Sequence, residues 1–223
     1  MMVEPATQRE KKRVFLVDDH PMIRERLIQI IEREPDLAVG GEAADGPQAI
    51  KAILETEPHV VVLDISLKSS SGLELIKTLQ KQRPYLPILV LSMHDESLYA
   101  MRAIRAGASG YITKVAPSRE VLVAIRRVLE GGIYFSQVIQ HRIVENQIGR
   151  GSKTADPIEQ LTDRELEVLQ LLGRGFETRR IADELGIGIK SVEAYRVRIK
   201  EKLGFKSATE LLFYAMQQVQ GHL

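Results

Sequence analysis

Five short apolar runs punctuate the first 130 residues: Val14–Val17, Leu37–Val39, Val60–Leu63, Ile88–Leu91 and Gly110–Ile112. Three are almost purely Val, Ile and Leu, the composition of strands covered on both faces. Between them the period changes. Pro21–Arg33 places Ile23, Leu27, Ile30 and Ile31 at i, i+4, i+7 and i+8, which predicts an amphipathic helix. Pro47–Glu55, Gly72–Gln82, Glu96–Arg105 and Ser118–Leu129 repeat that pattern. Five strand–helix pairs predict an α/β domain, a doubly wound parallel (βα)5 sheet with right-handed crossovers.

Beyond Gly131 the strand signal disappears. Tyr134–Gln147 is a modest helical stretch, and residues 149–157 are rich in Gly and polar residues, a linker signature. Four short helices are then predicted at 162–173, 177–185, 189–203 and 207–219, punctuated by glycines. Thr162 and Glu165 have capping-box spacing. A brief Gly186-Ile-Gly188 turn between the second and third helices marks a helix-turn-helix candidate. The expected organisation is a tail over 1–12, an α/β domain over 13–133, a linker over 134–157 with a helical start and flexible end, and an all-α four-helix domain over 158–223.

The composition agrees with two globular domains: 223 residues, 44% hydrophobic and 27% charged. With no cysteine, disulfides, thiolate zinc sites and cysteine nucleophiles are excluded. No run approaches the ~18 apolar residues of a membrane span. The N-terminal stretch lacks the apolar core of a secretory signal. A cytoplasmic protein with no membrane partner is expected.

Function gathers at the carboxyl ends of strands in such a sheet. Asp18 and Asp19 end the first run, Asp64 the third and Ser92 the fourth, while Lys114 follows the fifth. Clustered carboxylates repel and call for a cation. Oxygen ligands alone favour a hard ion, Mg²⁺. Carboxylates, Mg²⁺, a lysine and a hydroxyl together describe a phosphoryl site. An Asp at any one strand end is commonly just a cap or turn residue; five suitable residues at four strand ends argue against that reading.

In the second domain, the helix at 189–203 buries Val192, Tyr195, Ile199 and Leu203 on one stripe. The stretch 190–206 carries six basic and two acidic residues. Lys190, Glu193, Ala194 and Val197 share one face, with Arg196, Arg198 and Lys200 to its sides, suited to phosphates. Small apolar Ala194 and Val197 suit thymine methyls. A solvated basic face is the plain alternative. The net charge of +1 does not decide between them, because residues 158–223 hold ten basic and ten acidic side chains. Positive charge on one helix is hidden in that sum.

Residues 13–130 resemble the receiver domain of bacterial two-component response regulators. The resemblance is carried by Val14-Phe-Leu-Val-Asp-Asp-His20, Val61-Val-Leu-Asp-Ile65 with Gly72 eight residues past Asp64, Ile88–Ser92, and Gly107-Ala-Ser-Gly-Tyr-Ile-Thr-Lys114. It implies Asp64 as phosphoacceptor. It implies Asp18, Asp19, Asp64 and the Ser66 carbonyl as Mg²⁺ ligands, Ser92 and Lys114 as phosphoryl contacts, and Tyr111 as an aromatic switch. Val115 stands where receivers usually have proline. His20 and His94 are read as solvated loop histidines.

Residues 158–220 resemble the DNA-binding domain of the LuxR/FixJ/NarL family through Leu161-Thr-x-Arg-Glu165-x-Glu-Val-Leu169, Ile181-Ala182-x-x-Leu185, Ser191-Val192, Arg198-Ile199 and Lys202-Leu203-Gly204. This implies that Lys190, Ser191, Glu193, Ala194, Arg196, Val197, Arg198 and Lys200 form a face that reads double-stranded DNA. It also implies a dimerisation helix, 207–219, using Leu211, Leu212, Ala215 and Val219. The whole chain is thus expected to be a phosphorylation-dependent transcriptional regulator. Its expected partners are a sensor histidine kinase, DNA and a second copy of itself. Two alternatives stand beside it. A Mg²⁺-dependent aspartyl phosphohydrolase would usually carry Asp-x-Asp on the first strand. A receiver-fold interaction module would not need the intact acidic set.

Overall fold

The structure, a computed structural model, describes residues 10–67, 70–147 and 157–220. Its first part alternates β1 (Lys12–Val17), α1 (Pro21–Glu32), β2 (Leu37–Ala43), α2 (Gly46–Thr56) and β3 (Val60–Leu63). A short antiparallel hairpin follows, β4 (Ser66–Leu67) with β5 (Ser70–Ser71). Then come α3 (Gly72–Gln82), β6 (Ile88–Ser92), α4 (Glu96–Ala106), β7 (Gly110–Thr113) and α5 (Ser118–Leu129). The main sheet is fully parallel, in the order β2-β1-β3-β6-β7. This is the doubly wound α/β domain that the apolar runs predict.

The run composition follows from burial on both faces. Val14, Leu16, Val60, Val62, Leu89, Leu91 and Ile112 point to one side, against Leu27 and Ile31 of α1 and Val121, Ile125 and Val128 of α5. Phe15, Val17, Val61, Leu63, Ile88, Val90 and Tyr111 point to the other, against α2, α3 and α4. Neither side of a central strand is left for polar residues, so polar groups collect at the strand ends.

Two details differ from expectation. β2 continues through Gly40 and Gly41 to Ala43, four residues past the predicted end, with a register shift against β1 between Val14 and Phe15. The β4–β5 hairpin has no apolar run to announce it. After α5, Phe135 and Ile139 are buried, and α6 (Gln137–Gln147) packs on α4. The helical start of the predicted linker therefore belongs structurally to the first domain; its later part, 148–156, lies outside the described residues.

The second domain opens with a 3-10 turn, Pro157–Gln160, followed by α7 (Asp163–Gly173), α8 (Thr178–Leu185), α9 (Ile189–Lys202) and α10 (Ala208–Gln220). The capping box forms: Glu165 N–H donates to Thr162 Oγ1, and the Thr162 N–H donates to Glu165 Oε2 at 2.7 Å. Gly186, in the left-handed region at φ +63°, ends α8 and allows the tight turn into α9. Gly173 lets α10 approach α7, since a Cβ there would strike the Ala215 carbonyl. Among the described residues no helix is long and apolar enough to cross a membrane.

Candidate functional site

The strand ends deliver the acidic residues to one point. Asp64 N–H donates to the Val17 carbonyl (2.8 Å) and Lys114 N–H to the Ser92 carbonyl (2.8 Å), so ladder bonds fix both backbones. Lys114 Nζ lies 2.7 Å from Asp18 Oδ2 and 2.7 Å from Asp64 Oδ2. All three side chains are buried. Ser66 N–H donates to the other Asp64 oxygen at 3.0 Å. The loop after Asp64 packs so tightly on α3 that only glycine fits at 72, where a Cβ would meet the Asp64 carbonyl at 2.6 Å.

Potential ligand atoms of Asp18, Asp19, His20 and Asp64 all fall within 4.8 Å of one another. Three carboxylates around one point fit a hard divalent ion. The exposed His20 ring lies 2.8 Å from Asp19 Oδ1 and 3.1 Å from Asp18 Oδ1.

Burial pushes the Asp64 carboxyl above its ordinary range; Lys114 opposes this and Asp18 adds to it. For Lys114, burial alone would favour the neutral amine, but Asp64 and Asp18 outweigh it and hold the ammonium charged. The buried cluster is therefore poised around one cation shared by two carboxylates.

Ser92 is fully buried, and its Oγ accepts from the His94 N–H at 3.2 Å. Tyr111 is also buried, its hydroxyl donating to the His94 carbonyl at 2.9 Å. His94 corrects the reading of a solvated loop residue. Its ring stacks on Tyr99 with centroids 4.5 Å apart. Burial, helped by the positive charge of Arg174, lowers its pKa to about 4, so it is neutral at pH 7.

On α9, Val192 and Ile199 are buried while Lys190, Ser191, Glu193, Ala194, Val197 and Arg198 face solvent. Arg196 and Lys200 are half-buried, and Arg196 donates to Thr178 Oγ1 of α8 at 2.7 Å. The face predicted from the sequence is thus physically available. On α10 the assignment changes. Leu211 and Ala215 are buried inside the domain, and Val219 is half-buried near Gly173. Leu211 and Ala215 cannot offer an open apolar face; Leu212 of the predicted set is exposed, as are Phe213 and Met216 of that helix.

Sequence reasoning missed the contact between the halves. Glu165 through Leu172 are all buried, so α7 is enclosed on every side. One side packs on α9 and α10; the other faces the first domain. Arg102 of α4 donates to the Leu161 carbonyl (2.7 Å), the Ile158 carbonyl (2.9 Å) and Asp163 Oδ1 (2.9 Å). Arg164 pairs with buried Glu167 at 2.6 Å. Burial raises the pKa of Glu167, Arg164 opposes, and Asp163 and Asp64 add to the rise. The only sequence signal was Glu167, Gln170 and Arg174 at i, i+3 and i+7, a pattern shared with any solvated face.

A parallel-sheet domain with buried acids at its strand ends, joined to a helix-turn-helix domain with an exposed basic helix, defines a signal-receiving regulator. Residues 14–126 match the response regulator receiver domain, and 159–215 match the bacterial regulatory proteins of the luxR family. The chain belongs to the response regulators that join these two domains, proteins of phosphorylation-dependent transcription regulation. Among its relatives is the oxygen regulatory protein NreC of Staphylococcus aureus, 34% identical over 92% of this chain and 97% of that protein. A structure of RcsB from Salmonella enterica serovar Typhimurium, bound to promoter rprA in the presence of phosphomimetic BeF3-, matches with a TM-score of 0.61. It is 25% identical over 93% of this chain and 99% of that one. The response regulator ChrA of a heme-sensing two-component system matches at 31% identity and a TM-score of 0.51, over 93% and 98%.

Proposed function

We propose that Asp64 accepts a phosphoryl group from a sensor histidine kinase, and that this controls DNA binding through α9. The observation that carries the reading is the Lys114 ammonium 2.7 Å from both Asp64 and Asp18. In the transfer, an Asp64 oxygen attacks phosphorus, the P–N bond to the kinase imidazole breaks, and an acyl phosphate forms. Lys114 holds the carboxylate in place and can follow the charge onto the transferred oxygens. Ser92, at the neighbouring strand end, would donate its hydroxyl to the same group, and Tyr111 would sense that movement through the His94 carbonyl. Asp18, Asp19, Asp64 and the Ser66 carbonyl would hold Mg²⁺, which when bound neutralises oxygen charge in the transfer. The protein accepts a phosphoryl group and is not a metabolic enzyme.

Lys190, Ser191, Glu193, Ala194 and Val197 would face base edges, and Arg196, Arg198 and Lys200 the phosphates. As a homodimer on DNA, two α9 helices would read half-sites about one helical turn apart. The exposed Leu212, Phe213 and Met216 of α10 are the apolar surface suited to that pairing. Such a protein works in the cytoplasm. Gel shifts on genomic fragments, with and without acetyl phosphate and Mg²⁺, test the switch. Wild type should gain affinity on phosphorylation and Asp64→Asn should not respond. A wild type that takes up phosphate with no change in DNA binding or oligomeric state would sink it.

A further inference from the structure

We infer that a cavity between the two domains is a binding site for a small monocarboxylic acid with an apolar body and one hydrogen-bond donor, giving the chain a chemical input besides the kinase. The cavity has a volume of about 410 Å³, within the range of small-molecule sites. Neither Asp64 nor Lys114 lines it, so the inference stands apart from the phosphoryl chemistry.

The walls are apolar and come from both domains. Met93, Leu98 and Val115 of the first face Leu166, Leu169 and Val219 of the second. Met93 is 59% and Val115 78% exposed, so the packing of the domains leaves apolar side chains uncovered beside the opening. Apolar space that no side chain fills forfeits dispersion contacts, and an apolar ligand regains them.

The polar groups of the lining are few and incompletely used. Gln170 and His94 are each only 7% exposed. Gln170 lies near enough to favour a proton on His94, yet Gln170 Oε1 and His94 Nδ1 form no hydrogen bond of good geometry. A buried amide oxygen without a donor is unfavourable, and a ligand N–H supplies what it lacks.

Arg174 supplies the charge. It is the one cation in the lining, because His94 is neutral at pH 7. Its side chain is exposed, and among the described residues it makes no ion pair. Asp95, the one acid in the lining, is committed to the Ser97 N–H at 2.7 Å, where it caps α4. An unpaired guanidinium at the mouth of an apolar cavity fits a carboxylate, which it can grip through two N–H groups. Because the site exists only while both walls are together, a bound acid stabilises this packing of the domains.

The test is calorimetric titration of the unphosphorylated full-length chain with indole-3-acetate, which carries a carboxylate, an apolar ring system and one N–H. Wild type should bind one equivalent, and its melting temperature should rise with the acid concentration. The corresponding alcohol, indole-3-ethanol, should bind about tenfold more weakly, the factor for a lost charged hydrogen bond. Arg174→Met should erase that preference. Val115→Trp, a change at an exposed position, should block binding by filling the cavity. Gln170→Met should weaken binding of indole-3-acetate and leave naphthalene-1-acetate, which has no N–H, unchanged. No binding by wild type, or equal binding of acid and alcohol, would overturn the proposal. Wild-type affinity in both Arg174→Met and Val115→Trp would overturn it too, since the acid would then sit elsewhere. Equal losses for the two acids in Gln170→Met would strike the donor from the ligand class.

Discussion

The two domains handle charge in opposite ways. In the first, Asp18, Asp64 and Lys114 are buried and locked by strand ladders. In the second, most of the charged face of α9 stands in water on a helix seated by buried Val192 and Ile199 with half-buried Tyr195 and Leu203. Each domain is close to neutral in sum, yet one conceals its chemistry and the other displays it. Function and stability should therefore be coupled at the strand ends and separable on α9.

The sharpest challenge to that contrast is Lys114→Met. Removing the one cation between two buried carboxylates should destabilise the first domain by about 3–5 kcal/mol. Urea unfolding at neutral pH should read this, with Mg²⁺ restoring part of the loss. An unchanged midpoint would mean that the cluster is not a coupled unit. Next is Gly173→Ala, which tests the second domain away from its charges. The clash with the Ala215 carbonyl should cost about 1–3 kcal/mol by overpacking, and DNA affinity should follow stability alone.

Acidification comes third. For Glu165, burial raises the pKa, but Lys202 at 2.6 Å and the Thr162 cap outweigh it and hold it low. That stabilisation is present above the ordinary carboxylate range and is lost as pH falls through the depressed value. Thr162→Ala should remove about 1 kcal/mol of it at pH 7 and flatten the acid limb of a stability–pH curve. The smallest stability effects belong to α9: Lys190→Ala and Arg198→Ala should stay within about 0.5 kcal/mol. Arg198→Ala should nevertheless reduce the salt slope of DNA binding by about 1, while Lys190→Ala and Val197→Ala relax site preference. Losses of several kcal/mol from these changes would erase the contrast.

The sheet was legible because its central strands are buried on both faces, which forces unbroken Val, Ile and Leu runs. β2 was cut short because half-exposed Gly40 and Gly41 and exposed Glu42 break the apolar run on this edge strand. The acidic pocket was legible because residue type and strand end coincide at Asp18, Asp64, Ser92 and Lys114. His94 was misread because nothing local reports that Tyr99 and α7 cover it. On α10 the periodicity correctly found apolar residues, but they occupy two sides. Leu211 and Ala215 go inward while Leu212, Phe213 and Met216 go outward, and only the packing against α7 distinguishes them.

The enclosure of α7 has a consequence for how such proteins can be recombined. Its eleven residues answer to two environments at once, so a substitution suited to one is felt by the other and neither side can drift alone. The match between this receiver and this output domain is recorded largely in this helix and the turn that leads into it. A chimera that exchanges the output domain carries a foreign α7 with it, and leaves Arg102, Lys77 and the mouth of the acidic pocket opposite a surface that never had to fit them.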